Sequence, residues 1–278
     1  MTKNILVATD LSARSDRAVH RAAQLARAHG ARLTILHVLD DAMPDKLLAE
    51  QQSAVSEYLD EFAASVAAGL DCTVLPCIGD PATTILDQVQ DQNPSLLVVG
   101  THRERRFWDA IRETTAQRVV RLTGYPVLVV ASPADKDYAS VLAATDFSPA
   151  STAALNLGHA LAPTATITPL HAVHVPYAGR LAGSELAVQD LAAAFLAEAK
   201  EADDAWRAKT ALPVTLHHTT FPTGSALNAL KKLAKRETLI TAGAHGRTGA
   251  HRALLGSVAT DLLRDPPCDV LIARPNGG

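Results

Sequence analysis

Short aliphatic runs alternate with longer amphipathic segments along the first half of the chain. Each run is bounded by turn residues and has the length of a strand, whereas the segments between the runs have helical spacing. The predicted strands lie near residues 4–9, 32–38, 71–77, 96–100 and 126–131, and the predicted helices near 14–29, 46–68, 81–91 and 114–123. This alternation favours a parallel sheet with helices on both faces.

The second half of the chain has the same alternation of strands and helices. Its predicted strands lie near residues 139–145, 166–175, 213–219, 237–243 and 268–273. Its longest predicted helix, near 184–209, has an apolar stripe at helical spacing that we expect to face a core. The pattern therefore predicts an α/β protein that contains two similar units in tandem.

Short motifs of the first half return in the second half in the same order, which indicates an internal repeat. The matches are Thr9-Asp10-Leu11-Ser12 with Thr145-Asp146-Phe147-Ser148 at an offset of 136, His37-Val38 with His174-Val175 at 137, Gly100-Thr101-His102 with Gly243-Ala244-His245 at 143, and Val127-Leu128-Val129 with Val270-Leu271-Ile272 at 143. We predict one domain at residues 1–131, a polar linker at 132–138 and a second domain at 139–278.

Composition and charge narrow the class of protein. Apolar residues make up 47% of the chain and charged residues 20%, as in globular proteins with buried cores. The net charge of −3 and the aromatic content of 4% give no basis for a nucleic-acid partner, because such proteins use basic surfaces and stacking aromatics. No signal peptide is recognisable and no apolar run is long enough to span a bilayer, so we expect a cytoplasmic protein without a membrane partner.

Two pairs of histidines raise the alternative of a metal site in the second half. His171 and His174 lie three positions apart, and His217 and His218 are adjacent in the sequence. Successive side chains of a strand point to opposite faces, so odd separations send the members of each pair apart. We therefore expect no zinc site at these histidines.

A glycine-rich stretch in the second half carries the clearest chemical signal. It runs from Gly243 through Gly246 to Gly256-Ser257, after an apolar strand and before a helix that begins near Val258. Glycines allow close backbone approach to a ligand, and a helix start offers N–H groups and a positive dipole end to phosphate. The alternative is a flexible loop in which Ser257 is an ordinary N-cap.

The spacing of this stretch decides between the two interpretations. Gly, two residues, Gly, nine residues and Gly-Ser resembles the ATP-binding loop of the ATP-binding branch of the universal stress protein family. Thr145-Asp146-x-Ser148 and His174-Val175 also resemble family positions, so the resemblance covers both halves. It implies a doubly wound, five-stranded parallel sheet of order 3-2-1-4-5 in each half, with helices on both faces.

The resemblance also implies a ligand and the roles of the site residues. ATP, with Mg²⁺, would bind beyond the carboxyl ends of the first and fourth strands, where strand order reverses. Thr145 and Asp146, with the backbone of Val175, would hold the base and ribose, and Gly243 would lie against the ribose and α-phosphate. The outer phosphates would bind at Gly246, Gly256, Ser257 and the Val258 N–H. The side chains of His245, Arg247, His251 and Arg252 either add positive charge to the loop or lie in solvent.

The first half departs from the loop pattern. Gly100 is present, but Arg103 and Glu113 replace the next two glycines, and Thr114 keeps the final hydroxyl. An arginine would cost about 1–2 kcal/mol if the backbone there requires a positive φ. A carboxylate beside phosphate would repel it by about 4 kcal/mol at about 4 Å and an effective dielectric near 20. We therefore predict that the first domain has lost its triphosphate site.

The sequence favours a regulatory or protective ATP-binding protein over an enzyme. The loop has no P-loop lysine and no apparent base near a γ-phosphate, so we expect at most slow hydrolysis and assign no catalytic residue. Two alternatives remain: a nucleotide-using transferase, or an interaction scaffold that needs no nucleotide. The bound ligand would be ATP or AMP. We expect the sheet edges Val127–Val130 and Val270–Ala273 to pair as an intramolecular pseudo-dimer, and a further homodimer stays open.

Overall fold

A computed structural model of the chain describes residues 3–101, 113–176, 185–246 and 255–275. Within these residues the strands are β1 (Asn4–Thr9), β2 (Arg32–Leu39), β3 (Cys72–Ile78), β4 (Leu96–Gly100), β5 (Val127–Val130), β6 (Ser140–Ala144), β7 (Thr166–Leu170), β8 (Thr238–Gly243) and β9 (Asp269–Ala273). The helices are α1 (Ala13–His29), α2 (Asp45–Val66), α3 (Pro81–Gln92), α4 (Thr115–Leu122), α5 (Pro149–Leu161), α6 (Glu185–Lys209), α7 (Ala226–Leu233) and α8 (Ser257–Arg264).

The strands form one continuous sheet with the order β3-β2-β1-β4-β5-β9-β8-β6-β7. The first half has the predicted order 3-2-1-4-5, and all of its strand pairs are parallel. Helices α1, α2, α5 and α6 contribute to the apolar cluster on one face, and α3, α4, α7 and α8 contribute to the cluster on the other. The prediction of doubly wound α/β units with helices on both faces is therefore confirmed.

The strand predicted at 213–219 in the second half forms only isolated bridges to the chain at β7. Ile167 pairs with Leu216 and Leu170 with Thr220, so this segment has one more residue than β7 between the two bridges. Pro169 faces the segment and accepts a hydrogen bond from Thr220 N at 2.9 Å, but its ring nitrogen has no hydrogen to donate. The missing donor and the extra residue explain why no regular strand forms here.

The two halves join through β5 and β9, the last strand of each half. β5 and β9 pair antiparallel, with Leu128 opposite Leu271 and flanking pairs on either side. Each strand would otherwise present an open edge with unpaired N–H and C=O groups. The predicted pairing of the two edges within one chain is confirmed.

A buried ion pair secures this junction and the linker. Asp269 is fully buried and accepts hydrogen bonds from Arg21 Nε at 3.0 Å and from the Tyr138 hydroxyl at 2.7 Å. Its other oxygen accepts from the N–H groups of Ala131 and Ser132 at 2.9 and 2.8 Å. Burial and the neighbouring carboxylate raise the pKa of Tyr138 well above its ordinary value. The charges are thus compensated on all sides, which a buried pair requires.

Candidate functional site

The topology of the second half brings the predicted site segments together. β6 and β8 are parallel neighbours, and Asp146 and Gly243 come at their carboxyl ends. A Cβ placed on Gly246 would lie 3.1 Å from Oδ2 of Asp146, so the start of the glycine-rich loop is next to this carboxylate. The two predicted motifs therefore lie together at the carboxyl ends of β6 and β8, where the strand order reverses.

The Thr145–Ser148 segment forms a tight turn between β6 and α5. Phe147 has a φ of 64°, which is unusual for a non-glycine residue, and its N–H donates to Thr145 Oγ1 at 2.9 Å. Ser148 N donates to Asp146 Oδ1 at 3.1 Å and so fixes the orientation of the carboxylate. Ser148 is also the N-cap of α5. Thr145 is buried and acts within the turn, so it can serve a ligand mainly by placing Asp146.

The first half repeats this turn almost bond for bond. Leu11 has a φ of 60° and its N–H donates to Thr9 Oγ1 at 3.0 Å, while Ser12 N donates to Asp10 Oδ1 at 3.0 Å. The hydrogen bonds to Asp10 lower its pKa, although partial burial acts in the opposite direction. The turn is therefore a shared structural device, and it cannot by itself distinguish a domain that binds a nucleotide from one that does not.

The structure corrects the repeat alignment at the second strand. His37 Nδ1 bonds to the carbonyl of Thr9 at 2.9 Å, and His171 Nδ1 bonds to the carbonyl of Thr145 at 2.8 Å. The counterpart of His37 is therefore His171, and the predicted match with His174 is wrong. β7 also ends at Leu170 rather than near 175.

This correction also changes which residue of the second half matches Val38. Val38 follows His37 directly, so its counterpart in the second half is Ala172, which follows His171. Val175 lies three residues further on, outside β7. By the repeat, the residue that matches Val38 is therefore Ala172 rather than Val175, and a role of either backbone in a site stays a prediction.

Gly243 is required by packing of the protein itself. A Cβ at this position would lie 2.8 Å from Ser151 N and 2.9 Å from Ala150 in the first turn of α5. Gly100, its counterpart, would meet Ser15 Cα at 3.0 Å in the first turn of α1. The same close approach thus explains both glycines, and Gly243 needs no ligand contact to account for it.

Gly246 and Gly256 differ from Gly243 in what surrounds them. Neither has a positive φ, so the premise that a side chain at the second glycine position would strain the backbone is wrong for Gly246. A Cβ at Gly256 would meet nothing closer than 3.7 Å, which is ordinary contact. Packing among the described residues therefore does not demand glycine at 256.

The start of α8 lies at the end of the glycine-rich loop. Gly256 is the N-cap and its N–H donates to the carbonyl of Ala244 at 2.8 Å, which closes the loop. Ser257 is the first helical residue, so the alternative that Ser257 is an ordinary N-cap is wrong. No side chain of the described residues caps this helix. The N–H groups of Ser257 and Val258 therefore lie at an uncapped, positive helix end.

The start of α4, the counterpart in the first half, is arranged in the opposite way. Thr114 is the N-cap, its hydroxyl accepts from Gln117 N at 3.1 Å, and its N–H donates to Gln117 Oε1 at 2.9 Å. Both oxygens of Glu113 accept from Arg121 at 2.7 Å, and these bonds lower the pKa of Glu113. The N–H groups of Thr114 and Gln117 are thus bonded to side chains of the first domain. Arg103 lies outside the described residues.

Of the four basic residues that the sequence gives to the glycine-rich loop, His245 lies within the described residues. His245 accepts a hydrogen bond from Arg274, whereas Arg247, His251 and Arg252 lie outside the described residues. In the part of the chain that the structure describes, no group of three or more His, Cys, Asp or Glu residues could hold a metal ion. No helix in the same described part has the length and hydropathy needed to cross a bilayer.

The sheet, the repeated turn and the loop after β8 are matched by a known family. The model of the Universal stress protein family matches residues 1–131 and again 137–274. The chain belongs to the universal stress protein family. Its two matched segments correspond to the two repeats, so it contains tandem universal stress domains.

Relatives within this family match one half or the whole chain. A universal stress protein of Mycolicibacterium smegmatis is 26% identical over 295 aligned residues, which cover 98% of this chain and 97% of the relative. A universal stress protein A homolog of Haemophilus influenzae is 29% identical over 126 residues, which cover 42% of this chain and 88% of the relative. A solved universal stress protein of Archaeoglobus fulgidus has a TM-score of 0.70 at 18% identity and covers 98% of this chain and 96% of its own. That likeness supports the tandem fold.

Proposed function

We propose that the second universal stress domain binds ATP, together with Mg²⁺, and that the first domain does not bind a triphosphate. Occupancy of the site would bias conformation or partner binding in a regulatory or protective role during stress. The observation that carries this proposal is the start of α8, at which no described side chain forms a cap, in contrast to the start of α4, which is capped by Thr114 and Gln117.

The described residues offer complementary groups to the parts of a nucleotide. The Asp146 carboxylate, held by Ser148 N, is an acceptor for ribose hydroxyl groups at the end of β6. The backbone of Ala172 lies at the end of the neighbouring β7 and can bond to the edge of a base. The outer phosphates would accept from Ser257 N and Val258 N at the positive end of α8.

Magnesium would enter this site with the nucleotide. Mg²⁺ keeps several waters and binds mostly to phosphate oxygens in nucleotide sites, so it needs few protein ligands. Asp146 is assigned to the ribose, so phosphate oxygens and water would supply the ligands of the metal. The metal would neutralise phosphate charge and so allow binding without a loop lysine.

Slow turnover follows from the same groups. Backbone N–H groups stabilise a bound triphosphate, but fast phosphoryl transfer needs a positioned base or water-orienting residue and added positive charge at the γ-phosphate. No lysine ends the glycine-rich loop, which runs Leu255-Gly256-Ser257 into α8. We therefore propose a binding protein whose ATP hydrolysis is far slower than the median enzyme rate of about 10 s⁻¹.

Titration calorimetry with Mg·ATP tests this function, combined with native mass spectrometry of the purified chain. We expect one ATP site per chain and product formation far below ordinary enzyme rates. Two equal sites would contradict the loss of the first site. Rapid turnover with an acceptor would favour a transferase, and no nucleotide binding would favour a nucleotide-independent scaffold.

A further inference from the structure

Arg274 connects the two domains beside residues 244–246, at the start of the glycine-rich loop. It follows β9 directly, and its Nη2 donates to the carbonyl of Arg121 at 2.8 Å and to that of Val120 at 3.4 Å. Both carbonyls belong to the last turn of α4 in the first domain. The last carbonyls of a helix have no partner within the helix, so a guanidinium from another element satisfies them and complements the helix dipole.

The same guanidinium also holds the first residues of the loop. Arg274 Nη1 donates to Nε2 of His245. Arginine has no acceptor, so Nε2 accepts and the neutral ring carries its proton on Nδ1. His245 lies between Ala244, whose carbonyl closes the loop on Gly256 N, and Gly246, which adjoins Asp146. Arg274 therefore fixes the point from which the loop leaves the sheet.

At the matching position of the first half, the described residues show no such connection. The residue that follows β5, and so matches Arg274, is Ala131, whose N–H donates to Asp269 at the domain junction. Alanine has no group that could reach a helix of the opposite domain. Among the described residues, a link from the start of such a loop to a helix end of the other domain is therefore found in the second domain, which contains α8.

We propose that Arg274 is a positioning residue for the nucleotide loop and that it makes ATP binding in the second domain depend on α4 of the first. This inference rests on the proposed function. Through His245, the guanidinium holds the loop where Ser257 N and Val258 N can bind the outer phosphates. The degenerate first domain thereby keeps a role, because its helix end anchors the site of its neighbour.

Titration with ATP and AMP separates positioning from general stability. Arg274→Ala should weaken ATP binding by about tenfold, which is the effect of one lost charge-assisted bond. AMP binding should change little, because AMP lacks the phosphates that reach α8. Arg264→Ala is the matched control, since this exposed arginine at the end of α8 pairs only loosely with Asp261 at 3.8 Å, and we expect it to leave both affinities unchanged.

Two further variants distinguish a bridge from simple attraction between charges. Arg274→Lys keeps the charge, but one ammonium group cannot serve both α4 and His245, so ATP binding should stay weak. In a double-mutant cycle, Arg274→Ala with His245→Ala should lose no more affinity than either single change. Four outcomes would each overturn the proposal. They are restored ATP affinity in Arg274→Lys, equal losses for ATP and AMP, unchanged ATP affinity in Arg274→Ala, and a loss in the double variant equal to the product of both single losses.

Hydrogen exchange of the ligand-free protein tests the positioning role of Arg274 without a measurement of nucleotide binding. In Arg274→Ala, or in Arg274→Lys if the alanine variant does not fold, the Gly256 N–H that bonds to Ala244 should exchange faster than in the wild type. Unchanged exchange would overturn the positioning role. If the wild-type chain binds no ATP, the proposed function fails, and this measurement still decides whether Arg274 holds the loop.

Discussion

The starts of α4 and α8 occupy matching places after the fourth strand of their domains, yet they are completed differently. In the first domain Thr114 and Gln117 form a reciprocal capping box, and Glu113 pairs with Arg121. In the second domain Gly256 is the N-cap, and no described side chain forms a capping hydrogen bond at the start of α8. The N–H groups of Thr114 and Gln117 are thus bonded within the first domain, whereas no described side chain forms a capping hydrogen bond at the start of α8.

The difference also shifts the helix by one residue. Thr114 matches Ser257 in the repeat, but Thr114 is the N-cap whereas Ser257 is the first helical residue. A capping side chain typically contributes about 1 kcal/mol to stability, which α8 forgoes in the ligand-free protein. Functional sites commonly break such local rules, and the ligand then supplies the missing bonds.

Copying the first domain's helix start into the second should have the largest effect. The variant Gly256→Glu with Thr260→Gln places a carboxylate and a capping glutamine where Glu113 and Gln117 stand in the first domain. We expect ATP affinity to fall by a hundredfold or more, because the carboxylate repels phosphate and the cap occupies the N–H groups.

Calorimetry measures this loss, and thermal unfolding of the ligand-free protein serves as its control. The added cap should leave the ligand-free stability unchanged or slightly higher. ATP affinity equal to that of the wild type in a folded double variant would contradict the comparison.

Two glycine-to-alanine changes should separate packing from ligand binding in the second domain. Gly243→Ala forces a Cβ against the backbone of Ala150 and Ser151, so we expect the free energy of unfolding to fall by about 1–3 kcal/mol. Gly256→Ala meets no close neighbour and should cost at most about 1 kcal/mol of stability, while it weakens ATP binding by narrowing the approach to α8. Denaturant unfolding and calorimetry together measure both, and the reverse pattern would show that Gly256 is the structural glycine.

The smallest effect is expected when the capping box at the start of α4 is removed. Gln117→Ala with Glu113→Gln removes the capping partner and the charge, which should lower the free energy of unfolding by about 1 kcal/mol. No second ATP site should appear, because the loop before this helix still has Arg103 in place of glycine. A second calorimetric site in this variant would mean that the cap alone had closed the first domain.

The sequence predicted the architecture well because the signals were local and repeated. The strand and helix pattern, the order 3-2-1-4-5 of the first domain and the pairing of β5 with β9 were confirmed. The strand at 213–219 failed because Pro169, on the strand it should join, cannot donate a backbone bond. The position of His171 was missed because the His-Val dipeptide at 174 was a closer letter match than the structural counterpart.

The site was only partly predictable, since its decisive features depend on distant contacts. The spacing of glycines located the loop, but it could not tell that Gly243 is fixed by α5 while Gly256 is not. The capping of Thr114 by Gln117 was available as a Thr-x-x-Gln pattern and could have been recognised. The link between Arg274, His245 and α4 joins residues 29 and 153 positions apart, and no local pattern marks it.

Hydrogen exchange with and without Mg·ATP tests the asymmetry of the two domains most directly. The account predicts protection of the first-turn amides of α8, Ser257 to Ala259, with no change at Thr115 to Gln117 in α4. Protection at the start of α4, or equal protection at both helix starts, would contradict it.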